Sequence, residues 1–230
     1  ASHAVAFETG EVQLGGFSPV PLSDVRRLEA SGRFDIETRG YEYLAPMFLL
    51  EFNTRHKALQ DKRVRRAIAH AIDANLVVKT IWFGFGKPAT GPVPSLLTQF
   101  YNAAVQKYAF DPKRAEALLD EAGFKRGTDG RRFKVVHDYL PYGSDYQRTA
   151  EYVKQALGKV GIDVEIRSQD TAAFLKRVYT DNEFDLTSNF FSALPGPTSG
   201  VQRIYCSTSI SKVVPFSNAS GYSNPEMDRV

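Results

Sequence analysis

Phe133-Lys134-Val135-Val136-His137-Asp138-Tyr139-Leu140, followed by apolar positions at Tyr146, Ala150, Val153, Ala156, Leu157 and Val160, then Ile162-Asp163-Val164-Glu165-Ile166: this stretch decides the fold. Its first run is strand-like. The middle series repeats at helical spacing over residues 145–159 and stops at Gly161, a helix-ending residue. The third run alternates apolar and polar and predicts a second strand. Residues 171–179 read as a helix and 184–191 as a third strand. A β-α-β-α-β order with short connections predicts parallel strands joined by right-handed crossovers.

Upstream, residues 47–53 are apolar, strand-like and expected to be buried. Asp61 is placed to cap a helix whose apolar face is Val64, Ala67, Ile68, Ala71, Ile72 and Leu76, with Lys62, Arg63, Arg65 and Arg66 opposite. Residues 83–101 are broken by Gly84, Gly86, Pro88, Gly91-Pro92 and Pro94 and read as irregular. A second helix has both ends written in it: Asp111 caps, Pro112 opens the first turn and Gly123 ends the run. In the lead-in, residues 11–14 and 34–37 are strand candidates and residues 24–30 a helix. At the other end, Asn224-Pro225 opens a helix in which the sequence stops, which reads as a piece cut at both ends.

The composition bounds the function. The chain has 230 residues, 43% of them hydrophobic, with 16 Phe and 11 Tyr, which is globular composition. A net charge of +3, with the basic residues scattered, gives little support to a nucleic-acid partner. The single cysteine, Cys206, cannot form an internal disulfide. No apolar run approaches the ~20 residues of a membrane span. Glycine-rich phosphate loops, HExxH and GxSxG are missing from the sequence, and no two histidines are spaced as a metal pair. His70, between Ala69 and Ala71, reads as structural. No catalytic constellation, metal site or cofactor is expected.

What the chain does carry is aromatic residues where strands end. Tyr139 and Tyr142 flank the end of one strand, Phe190 and Phe191 end another, and Tyr205 follows Arg203. Ligands of open parallel sheets sit at the carboxyl ends of strands. These rings either pack the core or line a cleft as large flat contacts. Asn53, ending its strand, either holds a crossing chain by its amide or only terminates the strand.

The order of motifs then resembles the family 5 extracellular solute-binding proteins, the periplasmic oligopeptide, dipeptide and nickel-binding type. The matching pieces are Leu50-Glu51-Phe52-Asn53, Asp61 to Ile68 (DKRVRRAI), Ala71-Ile72-Asp73, Ala89 to Pro94 (ATGPVP), Tyr108 to Pro112 (YAFDP), Ala115 to Gly123 (AEALLDEAG), Phe184-Asp185-Leu186 and Gly221 to Asp228 (GYSNPEMD). The resemblance implies an α/β lobe of periplasmic-binding-protein type, with a mixed, largely parallel sheet flanked by helices (type II, cluster C-like). Residues 1–44 would end a first lobe and 45–230 would form most of a second. It implies a binding protein, not an enzyme. The protein would take a peptide-like or other small polar solute between two lobes and deliver it to the membrane permease of an ABC importer. It would be extracytoplasmic or periplasmic, membrane-associated through the transporter, and monomeric. A sensor or chaperone on the same fold, and an unrecognised hydrolase, are the alternatives. The expected solute-facing residues are Asn53, Tyr139, Tyr142, Asn189, Phe190, Phe191, Arg203 and Tyr205.

The sequence departs from that pattern in one place. Peptide-binding relatives carry a segment resembling Gly-Trp-x-x-Asp-x-x-Asp-Pro after the third parallel strand. Here Asn189 and Phe190 stand at its Gly and Trp, and Ala193 and Gly196 at its two Asp positions, followed by Pro197. The first of those acids pairs a ligand ammonium, and losing one partner of a desolvated pair costs roughly 3–5 kcal/mol. A free peptide amine is therefore expected to be a poor ligand. Arg203 either faces an anionic group of the solute or forms a surface ion pair.

Overall fold

The computed structural model describes residues 2–17, 19–40, 44, 46–192, 196 and 200–229. Two short helices come first, α1 (Ser2–Thr9) and α2 (Leu22–Ala30), then β1 (Pro46–Phe52), α3 (Lys62–Ala71), α4 (Ala74–Thr80) and α5 (Pro112–Glu121). The alternating half follows: β2 (Phe133–Tyr139), α6 (Ser144–Lys159), β3 (Ile162–Arg167), α7 (Thr171–Leu175), which widens into a π-helical turn over Lys176–Asp181, β4 (Leu186–Ser192) and the short α8 (Gln202–Tyr205).

The four strands form one sheet in the order β1-β4-β2-β3. β2 is parallel to both β3 and β4, and β1 runs antiparallel to β4. The sheet is therefore mixed and largely parallel. Because side chains alternate along a strand, the register assigns each residue to a face. On one face Val135, Ile162, Val164 and Leu186 meet Val64, Ala67 and Ile68 of α3, Ala115, Leu118 and Leu119 of α5, and Val153 and Leu157 of α6. On the other, Leu140 meets Phe174 of α7 and Val178 and Tyr179 of the π-helical turn. β2 leads through α6 to β3 on one side of it, and β3 leads through α7 to β4 on the other. Helices thus cover both faces, the doubly wound arrangement.

The capping signals act as expected. The Asp61 carboxylate accepts from Arg63 N at 2.7 Å and Asp111 from Arg114 N at 2.9 Å. Gly161 follows α6 at φ 87°, where an added Cβ would also lie 3.1 Å from the Gly130 carbonyl.

Four expectations are corrected. The helix expected to run from Val64 to Leu76 is two helices. Asp73 accepts from Leu76 N at 3.1 Å and so starts α4, leaving Leu76 exposed. Residues 11–14 and 34–37 form no strand, and among the described residues none pairs with them in a ladder. Phe34 and Ile36 instead pack on Val20, Leu22, Val25 and Leu28, beside Trp82, Phe83 and Phe85. β1 is an edge strand, half-buried along most of its length. After Asn224-Pro225 the described chain makes only a 3-10 turn, Met227–Arg229.

Candidate functional site

The β2–β4 ladder ends at Tyr139–Ser188, whereas β1–β4 continues to Pro46–Ser192. β4 therefore outruns β2 by four residues, and its end borders a gap. The chain leaving β2 turns to α6 on one face. The chain after β4 returns on the other, where Val201 and Ile204 pack on Met47 and Phe191. Adjacent parallel strands whose continuations part to opposite faces leave a crevice at their carboxyl ends, where ligands of such sheets bind.

Rings cluster at this end of the sheet. Tyr142 lies 6.0 Å from Phe190, Phe190 5.9 Å from Phe216, and Phe216 5.6 Å from Tyr179. On the other side Tyr142 meets Tyr146 at 6.5 Å, and Tyr146 meets Phe48 at 5.3 Å and Trp82 at 5.9 Å. The spacings are those of tilted and edge-to-face pairs. Tyr142, 53% exposed, is the most open ring of this row. Burial of Tyr146 raises its phenol above the usual range.

The eight residues expected at the site divide. Tyr142 and Phe190 share the crevice. Arg203 stands beside it, exposed, its Nε donating to the Phe216 carbonyl at 2.7 Å. Asn189 is buried, and its amide donates to Glu51 Oε1 (2.7 Å) and Tyr179 OH (3.1 Å). Phe191 points to the opposite face of β4 from Phe190 and is buried against Met47, with Tyr205 packed on the same cluster. Burial pushes the Tyr205 phenol up to about 12, with the Glu51 carboxylate adding to the effect. Tyr139 is enclosed, its OH donating to Ser168 Oγ at 2.9 Å. Asn53 lies at the far end of the sheet. Its amide donates to Asn182 O and Phe184 O and its Oδ1 accepts from Arg55 N, which fixes the turn into β4 and leaves the side chain away from the crevice. Of the two positions that replace acids, Ala193 lies outside the described residues, as does Pro197; Gly196 is described. Phe216 was not singled out from sequence. It arrives from a loop 24 residues beyond the end of β4, and only its aromatic character hinted at it.

A polar row crosses the sheet on the α7 side. Glu51 pairs with Thr187, Thr187 with Asp138, and Asp138 with Arg167, all on one face. Glu51 Oε2, Thr187 Oγ1 and Asp138 Oδ2 are buried without a hydrogen-bond partner. Burial raises the Glu51 carboxyl to about 7, opposed by the Asn189 hydrogen bond. Burial also raises Asp138 to about 6, against the pull of Arg167, 3.4 Å from its Oδ1. On the opposite face, desolvation lowers buried His137 to about 4. Among the described residues, no group of three or more His, Cys, Asp or Glu side chains could hold a metal ion, and no helix is long and apolar enough to cross a membrane.

Comparison with known proteins agrees with this architecture. The family model described as bacterial extracellular solute-binding proteins, family 5 Middle, matches residues 1–212. The dipeptide-binding protein of Escherichia coli is 32% identical over 128 residues, covering 56% of this chain and 24% of that protein. The glutathione-binding protein GsiB of Pectobacterium atrosepticum is 24% identical over 99% of this chain and 42% of its own length. The structure of the ABC transporter-associated periplasmic binding protein DppA from Helicobacter pylori, in complex with the peptide STSA, superposes with a TM-score of 0.82. It is 25% identical over 99% of this chain and 42% of that one. The oligopeptide-binding protein AppA from Bacillus subtilis, at a TM-score of 0.81 and 22% identity over 99% of this chain and 45% of that one, shares the fold. The chain thus spans less than half the length of these relatives.

Proposed function

The chain belongs to the bacterial extracellular solute-binding proteins of family 5, and from that premise we propose that it forms one wall of the solute site in the binding component of an ABC importer. The crevice at the carboxyl ends of β2 and β4 is that wall. Tyr142, Phe190 and Phe216 give it flat apolar area, and Arg203 gives it a charge. The observation that carries the reading is the parting of the chain after β2 and after β4 to opposite faces, with aromatic rings placed in the gap.

In this reading residues 1–44 end a first lobe and residues 45–230 form most of the second. The solute, peptide-like or another small polar molecule, is enclosed when the facing lobe closes. Closure is a population shift driven by contacts made only in the closed state, and the permease reads it. The protein acts outside the cytoplasm as a monomer, without catalysis, and is held at the membrane through the transporter. The relatives that support this are named for dipeptides and glutathione. With Ala193 and Gly196 in place of acids, an ammonium group of the solute has no carboxylate waiting for it at those positions.

Calorimetry on the full-length protein tests the wall. Phe190→Ala is expected to weaken solute binding by about 2 kcal/mol, some 30-fold, the size expected of an aromatic anchor in a site. Unchanged affinity in that variant refutes the placement of the site.

A further inference from the structure

We propose that the solute presents an anionic group, a carboxylate, to Arg203, and lays a bulky apolar group against Phe216 and the neighbouring Val213–Val214 corner. This rests on the reading of the crevice as the solute site, and it adds the chemical class of the solute.

Charge is the first argument. From Leu186 to Pro225 the sequence contains no Asp and no Glu, while it contains Arg203 and Lys212. This segment includes β4, Arg203 and Phe216. Ion pairs occur widely elsewhere in the protein, yet among the described residues none includes Arg203 or Lys212. The buried carboxylates of the sheet, Glu51 and Asp138, lie on the α7 side, bonded to Asn189 and Gln169. The side of the crevice that carries Arg203 is therefore cationic, while Asp145, beside Tyr146, is a carboxylate on the α6 side.

Geometry is the second. The Arg203 Nε–H is spent on the Phe216 carbonyl at 2.7 Å, which ties the guanidinium to the aromatic row. Nη1 and Nη2 make no hydrogen bond to a described residue. A guanidinium held at one edge offers its remaining N–H groups as a planar fork, and a carboxylate is the matching acceptor.

The apolar corner is the third. Val213 sits at φ 64° and Phe216 at φ 57°, in the left-handed region that a β-branched residue rarely enters. The surroundings hold the conformation. Val213 N donates to Tyr179 O at 3.1 Å, Ser217 Oγ donates to Val214 O at 2.7 Å, and buried Asn218 donates to Cys206 O and Tyr222 O. Such held strain clusters at ligand clamps. Val213 and Val214, three and two residues before Phe216 in the chain, are 68% and 48% exposed, where an apolar group can cover them.

The test uses the full-length protein and three probes in calorimetry: N-acetyl-Ala-Phe with a free carboxylate, its C-terminal amide, and N-acetyl-Ala-Gly with a free carboxylate. The acid is expected to bind roughly 10- to 100-fold tighter than the amide, the range of a hydrogen bond to a charged group. Arg203→Gln should erase that preference and Arg203→Lys retain part of it. Val213→Gly, which suits the left-handed backbone, should weaken the Phe probe toward the Gly probe while leaving the preference for the acid intact. Equal binding of acid and amide overturns the proposal, as does a preference that survives in Arg203→Gln, or failure of all three probes. Phe190→Ala run alongside separates the two readings: if the acid preference is missing but Phe190→Ala still weakens whatever solute binds, the crevice stands and the anion assignment falls.

Discussion

The two faces of the sheet are built on opposite principles. Toward α3, α5 and α6, the central contacts are Val135, Ile162, Val164 and Leu186 against aliphatic side chains, none more than 5% exposed. Toward α7, at the middle of the same strands, stand Glu51, Thr187, Asp138 and Asn189, and three of these keep a buried oxygen without a partner. An apolar face gains stability from burial, whereas a buried polar atom left unpaired costs it. Apolar contacts stabilise both faces, and of the described strand residues those on the α6 side leave fewer buried polar atoms unpaired, His137 Nδ1 among them. The α7 side carries a polar cost just beneath the strand end that holds the candidate site, and Asn189, flanked in sequence by Phe190, links the two.

The contrast breaks most easily on the apolar face. Leu157→Ala removes a side chain that is fully enclosed there, and the expected loss is about 2–5 kcal/mol in a urea unfolding curve. A loss well under 1 kcal/mol would mean that this face is loosely packed.

The second effect is set by pH. Burial raises the Glu51 carboxyl from 4.5 to about 7. The folded chain thus keeps this proton to a higher pH than the unfolded chain. The stabilisation linked to it is whole below about pH 4.5 and is lost as pH rises through about 7, by about 3 kcal/mol as an upper figure. Glu51→Gln cannot lose it, so the variant should gain on the wild type progressively between pH 5 and 8. Asp138 and His137 are present in both chains, so the difference between the two stability curves isolates Glu51. Parallel curves across that range would show that the carboxyl is not enclosed as described.

The same contrast explains what the sequence could and could not reveal. β2, α6, β3 and β4 are legible because each carries its own period and its own stop, with Gly161 ending α6. That Tyr142 and Phe190 come together is legible because strand ends are local features. The polar row is not. Glu51, Thr187 and Asp138 come from three strands, and only the lateral register, with β1 placed against β4, puts them side by side. Phe216 depends on a long loop, and Asn53 was ambiguous because an amide at a strand end serves a turn as readily as a ligand. The division of the helix after Ala71 was readable in principle, since Asp73 is a capping residue two positions later, but the apolar spacing ran across it and hid the break.

The central claim is that solute meets this chain at the carboxyl ends of β2 and β4. A crystal structure of the full-length protein with its solute bound tests it most directly. Solute atoms are expected within about 4 Å of Tyr142, Phe190 or Phe216, the distance of apolar contact. Solute seated at the opposite end of the sheet beside Asn53, or anywhere that leaves all three rings untouched, would contradict it.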